Sequence, residues 1–168
     1  MFHESQYGES PEESYGLLLK QLRSLIEDEV DLVANLANAS ALLGQFLQDI
    51  NWVGFYLLKG GELVLGPFQG LPACVRIPMG KGVCGTAAQS QSTMLVADVH
   101  QFPGHIACDA ASNSEIVIPL YHSEELIGVL DIDSPLFSRF DENDKRYLEQ
   151  FCEILSQHLA ESARIRKN

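Results

Sequence analysis

Three of the four cysteines stand in or beside irregular segments. Cys74 follows Leu71-Pro72-Ala73, Cys84 lies between Gly82 and Gly85, and Cys108 sits in the aperiodic stretch 98–114. A reactive cysteine needs a lowered pKa and access. Glycines that free backbone N–H groups near a helix start favour a thiolate at Cys84. Asp109, directly after Cys108, by itself raises that residue's pKa, so both positions stay open as nucleophiles at this level. His105, three residues before Cys108, offers a Cys–His pair, although a histidine in a loop is more often simply exposed. Cys152 differs: it falls on the apolar stripe Leu148, Phe151, Leu155 and Leu159, where a free cysteine packs as a small hydrophobe. Zinc finds no signature. The three loop cysteines with His100 and His105 could supply donors, but no C-x₂₋₄-C pair exists. The chemistry these cysteines offer is redox or nucleophilic, the alternative being inert thiols.

Carboxylates form a second constellation. In Leu130-Asp131-Ile132-Asp133 a strand sends Leu130 and Ile132 to one face and Asp131 and Asp133 to the other. Two like charges about 7 Å apart repel, which raises one pKa towards neutrality. Glu115 opens the neighbouring strand and can face the same side. On an earlier strand Trp52, Gly54 and Tyr56 share one face, Val53 and Phe55 the other. An aromatic pair, acids and cysteines together make a small-molecule pocket.

These groups must be positioned by a fold of modest size. The chain has 168 residues, 46% hydrophobic and 20% charged, which predicts one globular domain spanning 1–168, with roughly 1–10 as a flexible extension. The formal charge of −12 argues against nucleic acid and anionic membrane as partners. The start of the chain lacks a basic segment followed by an apolar one, and no apolar run reaches the roughly 18 residues of a membrane span. A cytoplasmic protein is the expectation, and there a permanent disulfide is unusual.

Ser10-Pro11-Glu12-Glu13 predicts a capped helix start, continued by Leu18, Leu22, Leu25 and Ile26. A second helical pattern runs from Leu32 to Leu47. Alternation then predicts strands over 51–58 and 62–65, joined at Gly60-Gly61, with further strands at 75–78, 94–97, 115–121 and 126–133. A short helix is predicted over 85–89, and Asp141-Glu142-Asn143-Asp144 opens a terminal helix. The fold class is α+β: a central antiparallel sheet with the N- and C-terminal helices on one face and the active-site loops on the other.

Four runs carry a resemblance over roughly residues 11 to 160. They are Asn51-Trp52-Val53-Gly54-Phe55-Tyr56, Lys81-Gly82-Val83-Cys84-Gly85, the segment 104–115 around Cys108, and Gly128-Val129-Leu130-Asp131-Ile132-Asp133-Ser134. With them the sequence resembles the free methionine-(R)-sulfoxide reductases, enzymes built on a single GAF domain. The resemblance implies a GAF-like fold and reduction of the R-epimer of free methionine sulfoxide, with thioredoxin as reductant and no need of a metal or organic cofactor. It implies Cys108 as nucleophile and Cys74 as resolving cysteine. Cys84 matches the family's third cysteine, and which of Cys74 and Cys84 resolves Cys108 stays open. Trp52 and Tyr56 would line a methyl-thioether pocket, while Glu115, Asp131 and Asp133 would engage the sulfoxide oxygen and the substrate ammonium. GAF relatives also suggest a homodimer. The main rival reading is a GAF module that senses a small ligand or redox state without turnover. A thiol peroxidase would use the same sulfenic acid but needs no acidic, aromatic pocket.

Overall fold

The computed structural model describes residues 7–106 and 109–165. Helix α1 (Pro11–Ile26) starts as the sequence predicts: Ser10 caps it by accepting from the Glu13 N–H, and Pro11 occupies its first turn. Asp31 caps α2 (Leu32–Phe46) in the same way, accepting from Ala34 N–H at 2.9 Å. Both helices bury a stripe, Leu18, Leu22 and Ile26 on α1 and Leu36, Ala39 and Leu43 on α2.

The strands are β1 (Trp52–Lys59), β2 (Glu62–Gly70), β3 (Arg76–Pro78), β4 (Met94–Val96), β5 (Ser114–His122) and β6 (Glu125–Ser134). They form one antiparallel sheet in the order β3-β2-β1-β6-β5-β4. Strand β2 runs five residues past the expected end at Leu65. The Gly66-Pro67 pair reads as a strand breaker, but a register shift opposite Phe55 absorbs it. The proline, which has no N–H to donate, therefore sits at an irregularity of the ladder. Helix α3 (Gly82–Ser90) begins three residues before the expected Gly85, entered through Gly82 at φ +63°. A 3₁₀ turn, Val99–Gln101, gives the irregular stretch one ordered element.

The sheet separates two apolar clusters. On one face Val53, Phe55, Ile116, Ile118, Leu130 and Ile132 pack under α1, α2 and the terminal helix α4 (Glu142–Ile165). On the other, Trp52, Tyr56, Val117 and Val129 pack under Val83, Ala87 and Ala88 of α3. The expected arrangement, long helices on one side and site-bearing loops on the other, is the one observed. At the helical layer, Tyr15 stacks on Tyr147 at 4.7 Å and donates its hydroxyl proton to Asp144, joining the two ends of the chain.

Cys152 lies in the helical core at 2% exposure, and burial pushes its thiol well above the usual range. Cys152→Ala should cost about 1 kcal/mol in denaturant unfolding, as a small buried side chain does, and leave the reaction described below unchanged.

Candidate active site

The antiparallel register places the acids. Asp131 on β6 lies opposite Gly54 of β1 and Val117 of β5, and Asp133 lies opposite both Trp52 and Glu115. Strand alternation aims all of these at the α3 face. Gly54 has no side chain to fill the space between Trp52 and Tyr56. A Cβ there would come within 2.3 Å of Phe68 Cβ and 2.8 Å of Trp52 Cη2. The result is a cleft of about 520 Å³ including its open mouth. Trp52, Tyr56, Cys84, Glu115, Asp131 and Asp133 all line it, so six of the eight residues singled out in the sequence share one wall or floor.

Cys74 stands beside the cleft, on the segment that follows β2. Trp52 Nε1 donates to Leu71 O at 3.1 Å, and the Tyr56 hydroxyl donates to Cys74 O at 3.0 Å. The two aromatics therefore both line the cleft and fasten the cysteine segment to it, a second use that no sequence pattern signals. Their rings stack at 5.8 Å, with Phe68 behind Trp52 at 5.2 Å. Cys74 is disulfide-bonded, while Cys84 and Cys152 carry free thiols. Cys108 lies outside the described residues.

Electrostatics set the character of the cleft. Burial pushes the Glu115 carboxyl up, and the neighbouring Asp131 and Asp133 push it further. Burial raises Asp131 to about 6 against the opposing effect of hydrogen bonds from Cys84 and Glu115. Asp133 is also raised by its low-dielectric surroundings and by Asp131, partly offset by a hydrogen bond from Ser112. Three carboxyls this close cannot all ionise together, so the cluster keeps protons above the ordinary carboxylate range. One Asp131 oxygen, Oδ1, is buried without a hydrogen-bond partner.

The helix start that favours a thiolate at Cys84 is outweighed. Cys84 is 4% exposed, Asp131 and Glu115 face it, and its Sγ donates to Glu115 Oε1 at 3.8 Å. Burial first, and the two carboxyls second, push its thiol well above the ordinary value. Cys84 is thus a protonated donor to the acids. His105 reaches the rim of the cleft, where partial burial and His100, 6.4 Å away between ring centres, lower its pKa and keep the imidazole neutral. Donor atoms of Cys84, Glu115 and Asp131 lie within 4.8 Å of one another, close enough to hold a small cation. They are 31 and 16 residues apart in sequence, so no spacing pattern reveals the group.

Chemically the cleft offers an aromatic wall for an apolar group, carboxyls that can give a proton or face a cation, and an adjoining oxidisable cysteine. Among the described residues no helix is long and apolar enough to cross a membrane.

Residues 27–160 match the GAF domain family. The chain is 55% identical to the free methionine-R-sulfoxide reductase of Escherichia coli (strain K12), over 88% of this chain and 90% of that protein. Among solved structures, it resembles the fRMsr of Staphylococcus aureus in complex with substrate. That match is 57% identical with a TM-score of 0.85, covering 93% of this chain and 100% of that one. It also resembles the free methionine-R-sulfoxide reductase of Neisseria meningitidis in complex with its substrate. There the identity is 45% and the TM-score 0.91, over 98% of this chain and 99% of that one.

Proposed function

The chain belongs to the GAF-domain free methionine-R-sulfoxide reductases, and from that premise we propose how its residues carry out the reaction. It is an oxidoreductase that reduces the R-sulfoxide of free methionine. The observation that carries this reading is the grouping of Glu115, Asp131 and Asp133 opposite Trp52 and Tyr56 in one cleft.

A sulfoxide sulfur is a poor electrophile until its oxygen is protonated or strongly hydrogen-bonded. A carboxyl of raised pKa supplies that proton. The Cys108 thiolate attacks the activated sulfur, the oxygen passes to the cysteine, and methionine leaves. The sulfoxide is thereby reduced by two electrons, and Cys108 is oxidised to a sulfenic acid. Trp52 and Tyr56 receive the methyl-thioether end, and an ionised member of the acid cluster faces the substrate ammonium. The thiol of Cys74 then attacks the Cys108 sulfur, releasing water and forming a disulfide. One observation supports Cys74 as the resolving cysteine: it is disulfide-bonded, whereas Cys84 and Cys152 are free thiols. Thioredoxin, through its dithiol, reduces the disulfide by exchange and restores both thiols. Leu71 and Val75, 65% and 64% exposed on either side of Cys74, give a protein reductant apolar surface next to the bond it must reach.

Cys74→Ser separates the half-reactions. The reduced variant should release one equivalent of methionine at the wild-type rate and then stall in thioredoxin-driven cycles. Small thiols should restore turnover by attacking the oxidised Cys108 directly. Unimpaired thioredoxin turnover would transfer the resolving role to Cys84.

A further inference from the structure

Asn51 immediately precedes β1, and its backbone N–H donates to Asp133 O at 2.9 Å. Its side chain reaches the segment 109–112, which follows Cys108 in the chain. Nδ2 donates to Asp109 Oδ2 at 2.9 Å and to Ser112 Oγ at 3.1 Å. The other Asp109 oxygen accepts from Ala111 N–H at 2.8 Å, so the residue after position 108 is held on both carboxylate oxygens. Ser112 is 4% exposed and hydrogen-bonds the Asp133 side chain. Because the serine oxygen is the acceptor towards Asn51, its own proton is free to go to Asp133. One amide thus connects the Cys108 segment, a buried serine and an acid of the cleft.

The connection is not a good device for stability alone. Asn51 Oδ1 is buried with no hydrogen-bond partner, and a buried orphan acceptor typically costs about 1–3 kcal/mol. A side chain kept at that cost calls for a reason other than packing.

We propose that Asn51 is a positioning residue for the reductase reaction, fixing Asp109, and with it the backbone that carries Cys108, in register with the acids on β5 and β6. The inference rests on the reading of Cys108 as nucleophile given above. It acts on the attack step, where the sulfur must meet the sulfoxide while the acid is still hydrogen-bonded to the oxygen. Misplacement by about 1 Å can cost about 10²-fold in such a step.

The test is rapid-quench single turnover of the reduced full chain with the free (R)-sulfoxide. Asn51→Ala should slow methionine formation at saturating sulfoxide by roughly 10- to 100-fold. The half-saturating concentration should change by less than about threefold, and the amplitude should stay at one methionine per protein. A side chain needed only for folding would lower the amplitude and leave the rate of the folded fraction alone. Asp109→Ala should reproduce the slow rate. Asp109→Asn should recover part of it, because its single amide oxygen can still accept from Asn51 Nδ2 while the bond from Ala111 N–H is given up. The Asp109 pair reads the same contact even where Asn51→Ala fails to fold. A wild-type rate in Asn51→Ala overturns the inference. So does a wild-type rate in Asp109→Ala, since the contact that Asn51 makes would then have no part in the reaction. A wild-type protein that forms no methionine would instead strike the reductase reading itself.

Discussion

Cys108→Ser should reduce methionine formation to the uncatalysed background while leaving the fold and sulfoxide binding intact. The serine hydroxyl is un-ionised near neutral pH and is a weak nucleophile towards sulfur, so neither the attack nor the sulfenic acid can follow. The acids and aromatics proposed to receive the substrate lie on β1, β5 and β6 and do not depend on that thiol. Calorimetric titration with the free sulfoxide should therefore show binding, and a rapid-quench assay should show no methionine. Wild-type methionine release by the variant would remove Cys108 from its role.

The acids carry the second large effect. Glu115→Gln, Asp131→Asn or Asp133→Asn should slow the first turnover by roughly 10²–10⁴-fold where the substitution removes the general acid. An amide keeps the shape and can still donate a hydrogen bond, but it cannot release a proton to the sulfoxide oxygen. The pH dependence has a definite sign. A carboxyl raised to about 6, as at Asp131, is protonated below that pH, so the acid-dependent rate falls as pH rises through it. Thiolate formation works in the opposite direction, which makes the single-turnover profile bell-shaped, with the acid on its high-pH limb. The same displacement bears on stability. Between the ordinary value of 3.8 and about 6, the folded protein keeps a proton on Asp131 that the unfolded chain has lost. Stability therefore declines as pH rises across that window. Asp131→Asn should flatten the decline, measured as the denaturant midpoint against pH. Three folded amide variants with wild-type first turnovers would return these residues to the role of strand ends.

How much of this could be read from the residues depends on range. The capping at Ser10-Pro11 and the alternation that separates Trp52 and Tyr56 from Val53 and Phe55 are local, and both appear as expected. The alternation also told which way Asp131 and Asp133 point, because side chains in a strand change face at every step. The length of β2 was hidden: Gly66-Pro67 has the composition of a breaker, and only pairing with β1 shows that a bulge absorbs it. The state of Cys84 was hidden more deeply. Its position near a helix start argues for a thiolate, whereas Asp131 and Glu115 approach from two other strands and argue against one. The packing of α3 across the β5–β6 pair decides that balance, and nothing in a single segment encodes it. The second use of Trp52 and Tyr56, fastening the Cys74 segment through their polar atoms, depends on the pairing of β1 with β2.

On the proposed mechanism, this cleft reduces one epimer of one free amino-acid sulfoxide using the protein's own thiols. Pre-reduced protein, freed of reductant and mixed with either epimer of free methionine sulfoxide, tests it directly. The expected result is one equivalent of methionine per protein from the R-epimer, with loss of two thiols, and none from the S-epimer. Methionine from both epimers at similar rates, or from neither, would contradict it.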